Sequence, residues 1–307
     1  TPIIKVPARM EPYLLDIDLR GTSFIELTQK LLTELLITGR VSVVVDRVDN
    51  GRCYSTFYSA ESNINWRYSN NIPIMAVFSE DVDVSEDGFT HEISNQYRVY
   101  DFDENGHLRV RVAMEKLPDE NPSDDENSFE IIHETYPSYR GEAIKELPVF
   151  CFNSIGLGMD SISPPPLLDL ANISLSHYRT SADLENGRHF TSLPQAWITG
   201  VDADDFRHGL HVGGSTAWIL PNENTKLGYL EFSGQGLGSL ENALKEKEGM
   251  MAVVGARLLE SKKGVESAET SRIRQNIETS VLSHISVTLQ NGLNKILKYM
   301  ARWEGFS

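Results

Sequence analysis

The chain has 307 residues, 40% hydrophobic and 23% charged, with a formal net charge of −16. That supplies enough apolar material for one large or two smaller domains with real cores, and so acidic a chain is a poor candidate for gripping DNA by its phosphates. The two cysteines, Cys53 and Cys151, form neither a disulfide framework nor a zinc-ligand spacing; a reducing cytoplasm suits them, as small buried side chains and not as nucleophiles. No apolar run approaches the roughly 20 residues of a membrane span, and no signal peptide is recognisable.

Taken in chain order, residues 22–38 place Phe24, Leu27, Leu31 and Leu35 at helical spacing. Ser23 with Glu26 predicts a capping box and Gly39 the stop. Val41–Asp46 reads as a buried strand, followed by a turn at Asn50-Gly51 and aromatic-rich extended segments. Residues 80–130 hold 16 carboxylates against 4 cations, a local charge of −12 within the whole-chain −16. Inside that stretch "QYRVYDF" and "HLRVRVAM" flank "DENG", a hairpin signal, and "KLPDENPSDDENS" reads as a long polar loop. A β-rich insertion with an acidic surface is expected there.

A short strand in "LPVFCFN" precedes Pro164–Pro166, which open a helix expected to run to about Glu185 and leave at Gly187. Its packing face reads as Leu167, Leu170, Ala171, Ser174, Leu175 and Tyr178. Three strand-like pieces follow, "PQAWITG", "STAWILP" and "LGYLEF". Two helices close the sequence. One spans about 237–259, with Leu240, Leu244, Met251, Val254 and Leu258 aligned. The other spans about 271–302, with Ile273, Ile277, Val281, Ile285, Leu289, Leu293, Ile296, Met300 and Trp303 aligned. Helices enclosing β-rich pieces make an α+β fold.

The residues make no positive case for an enzyme. Gly234, Gly236 and Gly238 follow a strand and precede a helix, as a dinucleotide-binding turn would, but the third glycine is one position early and no βαβ series surrounds it. A tight strand-to-helix turn is the preferred reading, and a nucleotide-binding enzyme the alternative. Asp204, Asp205, His208 and His211 have the chemistry of metal ligands, but they sit in a Gly-containing loop that reads as a solvated hairpin tip. Ser283 and His284 are sequence neighbours on a helix, about 100° apart, and cannot pair as nucleophile and base. No cofactor and no metal are expected. Between the last two helices, residues 260–270 form a charged break containing Lys262, Lys263 and Gly264, which by itself reads as a plain helix–helix connection.

Five ordered stretches carry a resemblance: "LLTELLITGRVSVVVD" with "SAESNINWRY", "PPPLLDLANISLSHYRTSADLENGRHFTSLPQAWITG", "GYLEFSGQGLGSLENALKEKEGMMAVVGARLL" and "ETSRIRQNIETSVLSHIS". Together they resemble a branch of the tailed-bacteriophage portal proteins, from about Met10 to Glu304. The resemblance implies one subunit of a ring, typically dodecameric, at a single capsid vertex. Double-stranded DNA would pass through its channel during packaging and ejection. Its implied partners are further copies of itself, the large terminase, head-completion (adaptor) proteins and the major capsid or scaffold proteins, with no membrane contact. It would reside in the virion, and in the host cytoplasm during assembly. Another structural virion protein is the remaining alternative.

Laid over the chain, the family architecture implies wing and stem parts in 1–49 and a β-rich acidic clip region with adjoining wing strands in 50–150. A stem helix would occupy 151–190, wing strands 191–236, and a helix pair 237–307 leading toward a crown. The loop 260–270 would be the tunnel loop, with Lys262, Lys263, Gly264 and Glu266 facing DNA. One loop per subunit would place a circle of cations in an acidic channel, centring the duplex without reading bases.

Overall fold

The computed structural model describes residues 4–48, 51–85, 87–115, 129–139, 141–159, 162–192, 195–200, 224–230, 234–259 and 281–306. The fold is α+β. The chain forms two compact units, Thr1–Leu168 with Leu258–Ser307, and Asp169–Arg257.

In the larger unit, a short helix α1 (Glu11–Leu15) precedes α2 (Phe24–Thr38). The start of α2 is fixed as the sequence predicts. Ser23 Oγ accepts from the Glu26 amide at 3.2 Å, and the Glu26 carboxylate accepts from the Ser23 amide at 2.7 Å. Gly39 ends the helix in the left-handed region at φ 80°, where a side chain would also meet the Ser163 carbonyl at 2.8 Å. Phe24, Leu27, Leu31 and Leu35 are buried along one face.

The next segment is β1 (Arg40–Arg47), in which Val41, Val43, Val44 and Val45 have no exposed surface. It pairs antiparallel with β2 (Cys53–Tyr58) on one side and with β10 (Val149–Asn153) on the other, and β11 (Gly156–Leu157) completes a four-stranded sheet. A second, five-stranded antiparallel meander contains β3 (Asn63–Ser69), β4 (Ile72–Asp83), β5 (Ile93–Phe102), β6 (Leu108–Glu115) and β7 (Phe129–Thr135). The expected hairpin around "DENG" joins β5 to β6. The Asp103 carboxylate accepts from the amides of Asn105 and His107, and Gly106 takes φ 75°. Two-residue strands β8 (Ser138–Tyr139) and β9 (Glu142–Ala143) follow.

The two sheets share one core. Tyr58 stacks on Phe78 with ring centroids 4.2 Å apart, and Phe78 meets Tyr100 edge-on. The last helix, α5 (Val281–Trp303), packs on β10 and α2. Its predicted apolar line is buried at Ile285, Leu289, Leu293, Ile296, Met300 and Trp303, whereas Val281 is exposed. Gly292 lets it approach closely: a Cβ there would lie 2.1 Å from the Phe152 ring. Residues 271–280, expected as its first turns, lie outside the described residues.

The smaller unit consists of helix α3 (Leu168–Ser192), a hairpin of β12 (Gln195–Thr199) with β13 (Lys226–Leu230), and helix α4 (Gln235–Leu259). Trp197 lies across Gly228, where a Cβ would come within 3.0 Å of its indole. Helix α3 differs from expectation at its end, because it runs on through Gly187 to Ser192. Gly187 serves a close approach and not a stop: an added Cβ would be 2.6 Å from Leu237 of α4. The predicted strand at 215–221 lies outside the described residues.

Candidate functional site

The face of α3 differs from expectation in a way that bears on function. Helices α3 and α4 are antiparallel partners. Lys247 donates to the Ser176 carbonyl at 3.1 Å and to the Thr180 hydroxyl. Arg188 bridges Glu185 and Glu241 at 2.9 Å each, and His177 Nε2 stands 3.5 Å from a Glu248 carboxylate oxygen. The contact is thus largely polar, made by small and charged side chains that the apolar periodicity does not single out.

The predicted packing stripe of α3 points elsewhere. Leu175 is 49% exposed and Tyr178 71%, and on α4 Met250 is 53% and Val253 51% exposed. Ile173 of α3 joins Met250, Val253 and Val254 of α4 in an open apolar groove. Among the described residues of this unit, only Leu184 is buried. A helix normally hides its apolar stripe against another element; this pair leaves much of its own uncovered.

Residues Lys262, Lys263, Gly264 and Glu266, the DNA-facing set implied by the resemblance, lie outside the described residues. So do Asp204, Asp205, His208 and His211. Among the described residues, no cluster of three or more histidine, cysteine or acidic side chains could hold a metal ion, and no helix is long and apolar enough to cross a membrane.

The glycine turn is described in part. Gly234 sits at φ 64°, and its carbonyl accepts from the Leu237 amide at 3.0 Å. Gly236 and Gly238 fall within the first turns of α4. The preceding strand β13 is antiparallel to β12 in a two-stranded sheet. A dinucleotide turn needs a parallel strand–helix–strand crossover, and the described residues of this segment do not build one. The turn starts a helix.

Sequence reasoning missed a partly buried polar network between the two sheets. The Glu80 carboxylate of β4 accepts from Arg98 of β5 at 2.8 and 3.1 Å, from Gln96 at 2.6 Å, and from the Tyr58 hydroxyl of β2. Burial opposes ionisation of Glu80, but the hydrogen bonds from Arg98 and Tyr58 and the Arg98 charge outweigh it. Its pKa is therefore lowered. Nearby Asp46 of β1 behaves oppositely: burial dominates and raises its pKa, against the hydrogen bond from the Arg47 amide. Environments that push two carboxylates apart can mark acid–base sites. Here the Glu80 oxygens are occupied by neighbouring donors, which makes the network a strut between sheets. Its members are separated by up to 54 positions in sequence, as Asp46 and Tyr100 are, and no local motif signals them.

The cysteines fit the sequence reading. Both are buried. Cys151 lies 2.9 Å from the Ser42 hydroxyl, and burial pushes its thiol up to about 11, against the Ser42 hydrogen bond. A protonated, enclosed thiol is not a nucleophile.

A family model described as DUF4055, a domain of unknown function, matches residues 166–304. That span runs from the start of α3 to the end of α5. No curated protein matches the chain. Among solved structures, the chain is similar to a component of the virion of a native gene transfer agent (GTA) particle. The two are 12% identical with a TM-score of 0.42, covering 95% of this chain and 71% of the other. It is also similar to a component of the neck of an empty GTA particle, at 12% identity and a TM-score of 0.44, covering 96% of this chain and 70% of the other.

Proposed function

We infer that the chain is one subunit of a portal-type ring, a conduit for double-stranded DNA at one vertex of a virus-like capsid. The observation that carries this reading is the uncovered apolar stripe of the α3–α4 pair. Leu175, Tyr178, Met250 and Val253 need an external cover, and further copies of the same unit side by side supply one. Association through two different faces of one chain closes into a ring when the rotation allows. The ordered sequence resemblance to portal proteins supports the same conclusion from the residues themselves.

In this reading the ring is dodecameric, the terminase and later the adaptor proteins dock on it, and the ATPase chemistry of packaging belongs to the terminase. The chain itself catalyses nothing and carries no cofactor. Lys262 and Lys263 form the cationic collar, with Gly264 and Glu266 in the same loop. Acidic walls keep phosphates from adhering, and the few cations centre the duplex.

Electron microscopy of the purified protein, with native mass measurement on the same sample, tests the reading. Closed rings with a hole wide enough for duplex DNA are expected. A compact dimer that gains thermal stability on adding nucleotide would replace this reading with the enzyme alternative.

A further inference from the structure

The larger unit carries a second site that the conduit reading does not use. Along the outer face of α5, Lys295, Lys298 and Arg302 follow at helical spacing, one above another. They edge an open groove of about 600 Å³. Phe150 of β10, Leu157 of β11 and Pro73 of β4 supply apolar lining, beside the polar Tyr68 and Asn71. Lys295 and Lys298 also edge a second hollow with Asn291 and Asn294.

Three features mark this as a binding groove and not a solvated face. First, in a chain of net charge −16, Lys295 and Lys298 are exposed and have no ion pair among the described residues, whereas Arg302 is held by Glu146 at 2.6 Å. Second, Tyr299, which also lines the groove, has a hydroxyl sealed from water with no hydrogen-bond partner among the described residues. Such orphaned groups are rare in folded proteins and call for an explanation. Third, the apolar lining offers contact area that a bare anion cannot use.

We propose that this groove docks an acidic peptide segment of a partner protein, with an apolar side chain against Phe150 and Leu157 and carboxylates on Lys295 and Lys298. Nucleic acid is the poorer fit. The apolar side chains that line the groove have no counterpart in a phosphate backbone. Charge complementarity of this type sets partner choice and encounter rate, and the apolar anchor sets lifetime.

The test uses the full chain and a fluorescein-labelled peptide of glutamates around a central leucine pair, followed by anisotropy. Saturable binding is expected. Lys295→Gln with Lys298→Gln should weaken it about tenfold, or about 1.4 kcal/mol, with circular dichroism unchanged because both side chains are exposed. Replacing the leucines of the peptide by serine should weaken it as well. The proposal is overturned if the native protein does not bind the peptide, if the double variant binds it equally well, or if a duplex oligonucleotide displaces it from the native protein and binds the double variant more weakly. The last result would assign the groove to phosphate.

Discussion

The exposed stripe of the α3–α4 pair gives a quantitative prediction. Fully burying a leucine, valine or methionine side chain contributes roughly 1.5–3 kcal/mol. Leu175, Met250 and Val253 are each about half exposed, so covering the remainder contributes about 1 kcal/mol apiece. Tyr178, larger and 71% exposed, adds about 2 kcal/mol. The stripe as a whole thus contributes at most about 5 kcal/mol per subunit, more than a thousandfold in an association constant, before the ordering of side chains is subtracted. Leu175→Ser combined with Tyr178→Ser removes about 3 kcal/mol of that, roughly a hundredfold per contact. Both side chains are already open to solvent in the single subunit, so its own melting temperature should barely move. Native mass measurement and analytical ultracentrifugation across a dilution series would show the variant dissociating at concentrations where the parent remains assembled. If the variant assembles like the parent, the stripe is not the contact and the reasoning from exposure to ring closure is wrong. If the isolated subunit melts much earlier, the stripe is packed internally and the exposure argument fails at its first step.

Two further outcomes are expected. Lys262→Ala with Lys263→Ala should leave assembly intact and reduce DNA filling of particles, read as packaged DNA per particle; normal filling would remove these lysines from the conduit. In the inter-sheet network the two carboxylates should respond oppositely to pH. Glu80, lowered in the fold, stabilises above its unfolded pKa, and that contribution is lost as pH falls through the folded value. Asp46, raised in the fold, contributes at acid pH and loses that contribution as pH rises through its folded value. At neutral pH Glu80→Gln should therefore cost about 2–3 kcal/mol, since it leaves Arg98 unpaired in a half-buried position, and Asp46→Asn should stabilise. Urea titrations of both variants at neutral and acid pH check the signs, and shifts of the same sign at neutral pH would show that the two groups are not set apart.

What the sequence made legible depended on how local the physics is. The start of α2 was readable because the Ser23–Glu26 box closes within one turn. The β5–β6 hairpin was readable because Asp103 and Gly106 fix their own turn. The buried line of α5 was readable because Ile285, Leu289, Leu293, Ile296, Met300 and Trp303 recur at helical spacing and bury together against the core of the same unit. The face of α3 was not, because apolar periodicity assumes that the greasiest stripe meets the rest of the same chain. In this helix the intramolecular contact is made by Ser176, Thr180, Gly187 and Arg188, and the stripe is left for something else. The Glu80–Arg98 network and the groove beside α5 were hidden for a different reason. Their members come from strands and helices far apart in the chain, and on one helix alone Lys295, Lys298 and Arg302 read as a solvated face.

One contact joins residues very far apart in the sequence of the larger unit. The Glu304 carboxylate accepts the backbone amide of Cys53 at 2.6 Å, a closure over 251 residues, and the neighbouring turns of α5 fill the space over Phe152. A ribosome delivers the chain from its beginning, so β1, β2 and β10 emerge long before the helix that covers them. The smaller unit, whose helices and hairpin are contiguous in sequence, is complete well before the larger one can close. Contacts of such long sequence separation form slowly, and an uncovered sheet is exposed to aggregation while it waits. Loss of the Glu304 contact would therefore be felt first as poor recovery of soluble protein during synthesis.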